Sequence, residues 1–586
     1  MSILRNRTTP FTLIVMIRIR LARRITTIVG LLFLCLSFAN HSFAATQKPN
    51  LVLITIDSAR ADHMGFLGAK TKTSLTPNLD RLAAESIVFE HAYAQAPGTI
   101  VSHATILSGE YPQSTGMSEI GGTLTTSLPY LPDLLKSQGY HTAAFVSSIN
   151  LDPQNGLAQG FDRGFEMYDA GFRPVIPGDL HPPVTERRGD QVTARALAWL
   201  DHNAQGEFFL WVHISDARAG DAAVGKLVSA LQQQKIYGKT ALIVAGSHGE
   251  SLGAHGETRS GIFLYDETIH VPLLIKLPET EAATKPSTIR VAGKVRLVDI
   301  APTVLEIAAI PVPSQMPGQS LLRAAKSASA ASNDQPVYSR SDLPQRGFGW
   351  SPLESWRARK YLYVRAPKPE LYDLTADPSA VHDLSQSSKA ILNEMASQLD
   401  NFDRRFSGEA GKGCGELSSS EMQKLASLGY AGLSKTSCAA APVAGTDPKS
   451  EGKIAIANKV MDAAAGDPSK PERAIAAFGP IVAADANLYL AEYTLGTALA
   501  QKGQFAEAVK HLHRAIELQP DAAWAHYEIG AALVKTADYK TAVIHLEIAT
   551  GRLPAFAPAH AALSTAYDHL GRAEDAKREK SKTGQK

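Results

Sequence analysis

The sequence predicts an α/β protein: a mostly parallel sheet sandwich followed by an α-solenoid. Two observations carry this. Apolar runs of strand length alternate with helical stretches over the first half of the chain, and small and aromatic residues recur at a 34-residue spacing near its end. A third is length: 586 residues exceed what one hydrophobic core normally supports, so more than one domain is expected.

The elements follow in chain order. Arg18, Arg20, Arg23 and Arg24 precede an apolar run from Ile25 to Phe38, and Ser42-Phe-Ala44 offers small residues for cleavage before Ala45. Residues 1–44 therefore read as a signal peptide, and the protein as exported to the periplasm. The apolar run falls short of the roughly 18 residues of a spanning helix, although a retained signal would tie the protein to the membrane.

Leu51-Val-Leu-Ile-Thr-Ile56 reads as a buried parallel strand, which places Asp57 at its carboxyl end, where open α/β sheets bind ligands and a carboxylate suits a metal ion. Further strands are expected at Thr142–Val146, Phe208–His213, Thr240–Ala245 and Val271–Lys276, with helices at Asn78–Glu85 and Asp190–Leu200 between them. Ser102 to Leu107 reads as the first turns of a helix. Its free N–H groups and positive dipole end would face Thr99 and any phosphate or sulfate that Thr99 attacks.

Residues 406–453, rich in Gly, Ser, Ala and Lys, read as a linker. Its two cysteines, Cys414 and Cys438, are either a disulfide, which could stabilise the segment by about 3 kcal/mol, or two free thiols. Beyond it, Gly496 recurs as Gly530, Phe505 as Tyr539, Ala508 as Ala542 and Ala576, and Pro520 as Pro554. This is the period of tetratricopeptide repeats: small residues where paired helices cross, aromatics between them, a proline ending each second helix. Residues 454–580 thus read as about three and a half helix pairs. Such an array presents a groove to a protein or peptide partner, or packs on its neighbour as a rigid cap. The net charge of +2 leaves no nucleic-acid footprint.

Pro49-Asn-Leu-Val-Leu-Ile-Thr-Ile-Asp57, Arg60-Ala-Asp-His63, Thr76-Pro-Asn-Leu-Asp-Arg-Leu-Ala-Ala84 and Ser102-His-Ala-Thr-Ile-Leu-Ser-Gly-Glu-Tyr-Pro112 resemble the N-terminal half of the sulfatase family within the alkaline phosphatase superfamily. Gly246-Ser-His-Gly-Glu250, Phe263-Leu-Tyr-Asp-Glu267, Val298-Asp-Ile-Ala-Pro-Thr303 and Glu370-Leu-Tyr-Asp-Leu-Thr-Ala-Asp-Pro378 are similar to its later blocks. The resemblance covers residues 49–405 and implies an alkaline-phosphatase-like sheet sandwich.

It also implies a chemistry. Sulfatases proper carry, at the place of Thr99, a Cys or Ser that is converted to formylglycine; threonine does not give that aldehyde by the same route, so here Thr99 itself would attack. Asp57, Thr99 and His248 would hold a divalent ion (Zn, Ca or Mn), and His103 or Lys276 would join the helix start in stabilising oxyanion charge. Several family positions are replaced. Ser247 stands for an aspartate, and Arg218, Ser260 and Gly347 stand for histidines, while Asp62, Glu250 or His255 could compensate. Two functions are therefore expected as alternatives: a metal-dependent hydrolase or transferase of anionic sulfate or phosphate esters, or a catalytically inactive, sulfatase-like scaffold that binds a protein through its repeats.

Overall fold

The computed structural model describes residues 48–69, 75–155, 157–172, 187–279, 288–326, 334–406, 445–464 and 470–583. Residues 1–44, read above as a signal peptide, and both linker cysteines lie outside them. Among the described residues no helix is long and apolar enough to cross a membrane.

The centre is an eight-stranded sheet with spatial order 289–296, 87–93, 270–276, 240–246, 50–56, 208–214, 141–145, 167–169. Only the strand His270–Lys276 runs antiparallel to its neighbours. Asn50–Ile56 lies between Phe208–Ile214 and Thr240–Gly246, with Ile56 level with Ile214 and Gly246, and all seven of its residues are buried. Covered on both faces, it can be apolar throughout, which is why its pattern does not alternate. Helices Pro77–Ala83, Gly189–Asn203 and Ala217–Gln233 pack on one face over Val52, Ile54 and Ile56. Helix Thr99–Ser108 lies on the other, over Leu51 and Leu53. A four-stranded antiparallel sheet within residues 337–373 packs on the helix Lys389–Phe406 through Tyr338, Trp356 and Phe402.

The repeats form eight helices among the described residues, from Lys453–Ala464 to Ala573–Ser581, half a pair more than the period implied. A Cβ on Gly530 would lie 2.4 Å from Leu546 Cγ, and one on Gly496 would lie 2.6 Å from Leu512 Cγ, so glycine at these positions lets the paired helices approach. The 34-residue period also places a polar pair between the two helices of each of the last three units: Glu492 with His511 (2.7 Å), His526 with His545 (3.0 Å) and His560 with Glu579 (2.6 Å).

The array docks on the sheet domain. Sheet residues such as Leu51 and Phe89 share one continuous apolar cluster with Phe478, Leu512 and Ala576 of the repeats. Arg346 Nη2 donates to Asp521 Oδ2 at 2.9 Å, Asn458 Nδ2 to Gly256 O at 2.7 Å, and Arg259 pairs with Asp462 at 3.1 Å. The end of the linker is part of this seam: Ser351 N donates to Thr446 O, and Asp447 accepts from Lys368 N.

Candidate functional site

Asp57, Thr99 and His248 converge at the carboxyl end of the central strands. Asp57 N donates to Ile214 O and Ser247 N to Ile56 O, so the first residue beyond each strand is held by its neighbour's ladder. Ser58 then turns the chain with φ +52°, and Ala59 N donates to His248 O. Thr99 opens its helix, whose second turn is fixed by Ser102 Oγ donating to Ser247 O at 2.6 Å.

The Thr99 hydroxyl donates to Asp57 Oδ2 at 2.8 Å, and His248 Nε2 lies 3.3 Å away as a second acceptor. His248 Nδ1 faces Gly249 O at 2.8 Å; a carbonyl accepts only, so Nδ1 carries the proton and Nε2 presents its lone pair to Thr99. The Ser247 hydroxyl donates to Asp57 Oδ1. Burial disfavours the Asp57 charge, but the imidazoles of His213 and His248 outweigh it and hold the carboxyl far below its usual range.

Two residues near this centre carried no expectation. His213 ends its strand level with Thr55, and its Nε2 lies 3.1 Å from Asp57 Oδ2. Its Nδ1 accepts from Ser147 N, so Nε2 is the protonated nitrogen; it faces the carboxylate electrostatically but has no hydrogen-bond partner among the described residues. Its signal in the sequence was a lone polar residue ending an apolar strand. Glu119 lies in the loop after the helix, half-buried, and its carboxylate accepts from Ile100 N (3.3 Å) and Val101 N (3.1 Å). It sits on the helix start, where a bound anion would; no local pattern announces it. Burial pushes Glu119 up to about 7, partly offset by the two N–H groups.

Two expected oxyanion groups are elsewhere. Lys276 ends the antiparallel strand, so it lies level with Leu242, at the opposite end of the sheet and on the order of 15 Å from Asp57. There its ammonium donates to Tyr237 O and Thr240 O. His103 is close but fully buried, with Nδ1 on Thr99 O (2.7 Å) and Nε2 on Thr55 Oγ1 (2.9 Å). Both nitrogens are used within the protein and burial pushes the ring down to about 3, so it positions the helix and leaves no donor for an oxyanion.

The replaced positions have distinct fates. Arg218 is exposed on its helix. Ser260 Oγ lies 3.4 Å from His248 Nδ1. A Cβ on Gly347 would lie 2.7 Å from Leu490 of the repeats, so the docked array fills the space that a histidine there would need. Asp62 is paired with Arg60, and His255 stacks on Tyr265.

Asp57, His103 and His213 place ligand-type atoms close enough together to hold a metal ion. In that trio both His103 nitrogens are hydrogen-bonded, while His213 Nε2, 3.1 Å from Asp57 Oδ2, has no hydrogen-bond partner among the described residues and carries the proton because Nδ1 accepts from Ser147 N. Asp57, Thr99 and His248 are a second candidate set, in which the lone pair of His248 faces the same point as the carboxylate and hydroxyl without a change of tautomer. Three mixed N/O donors match the minimum of a catalytic Zn²⁺ site and fall short of the six to eight oxygens of Ca²⁺.

The family of the chain is shown by its matches to known sequence families, which place it in the alkaline phosphatase superfamily. Within it the chain carries a sulfatase domain followed by tetratricopeptide repeats: residues 49–219 match the sulfatase model, 256–405 the N-sulphoglucosamine sulphohydrolase C-terminal model, and 496–536 a TPR repeat model. Similar proteins include the ulvan-active sulfatase of Formosa agariphila, 24% identical over 60% of this chain and 80% of its own. Arylsulfatase K of Bos taurus is 31% identical over 31% of this chain and 33% of its own. Among solved structures, a protein in complex with its substrate D-glucosamine-2-N,6-O-disulfate aligns with TM-score 0.52 at 17% identity, over 62% of this chain and 99% of that one. The phosphonate monoester hydrolase of Agrobacterium radiobacter aligns with TM-score 0.51 at 16% identity, over 61% of this chain and 96% of that one. These two likenesses concern the fold alone.

Proposed function

We propose that this chain is an exported, metal-dependent hydrolase of sulfate or phosphate esters in which Thr99 attacks directly. The observation that carries the proposal is the Thr99 hydroxyl, held at a helix start between Asp57 Oδ2 and the free lone pair of His248 Nε2. The Thr99 hydroxyl loses its proton to water, the Thr99 oxygen bonds to sulfur or phosphorus as the bond to the ester oxygen breaks, the alkoxide leaves and takes a proton from water, and a second water hydrolyses the Thr99 ester to complete turnover. His213 holds Asp57 ionised, and Ile100 and Val101 N–H groups receive the anionic oxygens once Glu119 is protonated or has turned away. A divalent ion held by Asp57, Thr99 and His248 would neutralise charge on the ester and lower the hydroxyl pKa. The name of the ulvan-active relative points to ulvan as the first substrate to try.

Thr99→Ala is expected to reduce turnover by more than about 100-fold across aryl sulfates, phosphate monoesters and phosphodiesters, with the thermal midpoint unchanged. Parent-level activity would remove Thr99 from the mechanism.

One observation favours the scaffold reading. Glu119 covers the anion position, and the repeats fill the space beside Gly347, as in a protein that binds a partner without turning over an ester. No turnover by the parent protein with any metal supplement would favour it.

A further inference from the structure

Between the loop that carries Glu119 and the edge of the repeat array lies a cavity of about 250 Å³, separate from the Thr99 centre. Its two walls differ. The sheet-domain wall is formed largely by Gly116, Gly121 and Gly122, with little side chain to obstruct a ligand. The repeat wall brings the aromatic rings of Tyr489 and Trp524, and Arg346 of the sheet domain reaches across to pair with the buried Asp521 of the repeats.

That ion pair is joined at one point only, Nη2 to Oδ2. Arg346 Nε and Asp521 Oδ1 are buried and without a hydrogen-bond partner among the described residues, and so is Trp524 Nε1. Asp521 is 6% exposed. Buried polar atoms are rarely left unpaired in native proteins, because each loses its hydration without compensation. Here two donors and one acceptor, all unpaired, belong to side chains on the wall of a single cavity.

We infer that this junction is a binding site for one sugar ring, built jointly by the sulfatase domain and the repeats. A ring hydroxyl both donates and accepts, which suits an acceptor set beside two donors, and the ring's C–H face suits an aromatic side chain. The volume holds one small ring and is below the usual range for drug-sized ligands. Ser118 and Ile120 line the cavity while Glu119 between them turns to the helix start, so the site adjoins the Thr99 centre without sharing its residues.

The test uses the full chain and does not depend on turnover. Glucose, galactose, glucuronic acid and a sulfated disaccharide are titrated by calorimetry and by saturation-transfer NMR. Saturable binding of at least one sugar is expected, weakened tenfold or more in Trp524→Phe, which keeps the ring and removes the N–H, and in Asp521→Asn. Thr99→Ala should bind as the parent does. The inference is overturned by no sugar binding at millimolar concentrations, by equal affinity in folded Trp524→Phe and Asp521→Asn, by loss of binding in Thr99→Ala, or by a peptide that binds through Trp524 in place of a sugar.

Discussion

In the proposed reaction the Thr99 hydroxyl, held by Asp57 and facing His248, is the group that attacks. Thr99, Asp57 and His248 were legible in the sequence because each follows a local signal: a carboxylate after an apolar strand, a hydroxyl before a helix, a histidine after a second strand. Glu119, His213, His103 and Lys276 were not legible in the same way, since their roles depend on which strand runs antiparallel and which loop folds back on the helix. Glu119 is the residue most open to test. Its native pKa of about 7 lies above the ordinary glutamate value, so between roughly pH 4.5 and 7 the folded protein binds more protons than the unfolded one, and this contribution to stability falls as pH rises. A sulfate ion approaching Ile100 and Val101 N–H meets a neutral carboxyl at low pH and a charged one at high pH. Glu119→Gln is expected to raise sulfate affinity roughly tenfold at about pH 8.5 and little at about pH 5.5, and to flatten the fall in thermal midpoint between them. A pH-independent sulfate affinity in the parent would show that Glu119 does not guard the helix start.

At the scale of elements, fully buried strands and the repeat period were the strongest signals, and the five expected strands appear within a residue or two of their bounds. The strands 87–93 and 289–296 and the second sheet were missed, because they mix polar and apolar residues and are defined by pairing with distant segments. The helix crossings of the repeats invite a paired experiment. Gly530→Ala places a methyl against Leu546 and should cost about 1–3 kcal/mol, whereas Gly479→Ala, inside a helix with nothing within 4 Å, should gain about 0.5–1 kcal/mol. Thermal or urea unfolding of both variants checks this; equal effects would mean that the close crossing at Gly530 relaxes without cost.

Across the whole molecule, the repeats share an apolar cluster with the sheet and supply the far wall of the junction cavity. Of the two architectures the sequence left open, an array standing apart and a cap packed on its neighbour, the structure has the second. Its reason is physical: Leu490 fills the place beside Gly347, and Arg346 finds its counter-ion on Asp521. Whether the covered domain still catalyses turns on Thr99, and the most direct measurement is to trap the covalent intermediate. Acid-quenched turnover of a phosphate or sulfate ester, followed by peptide mapping, should place the transferred group on Thr99 in the parent and nowhere in Thr99→Ala. Steady turnover with no adduct on Thr99, retained when Thr99 is alanine, would contradict the account.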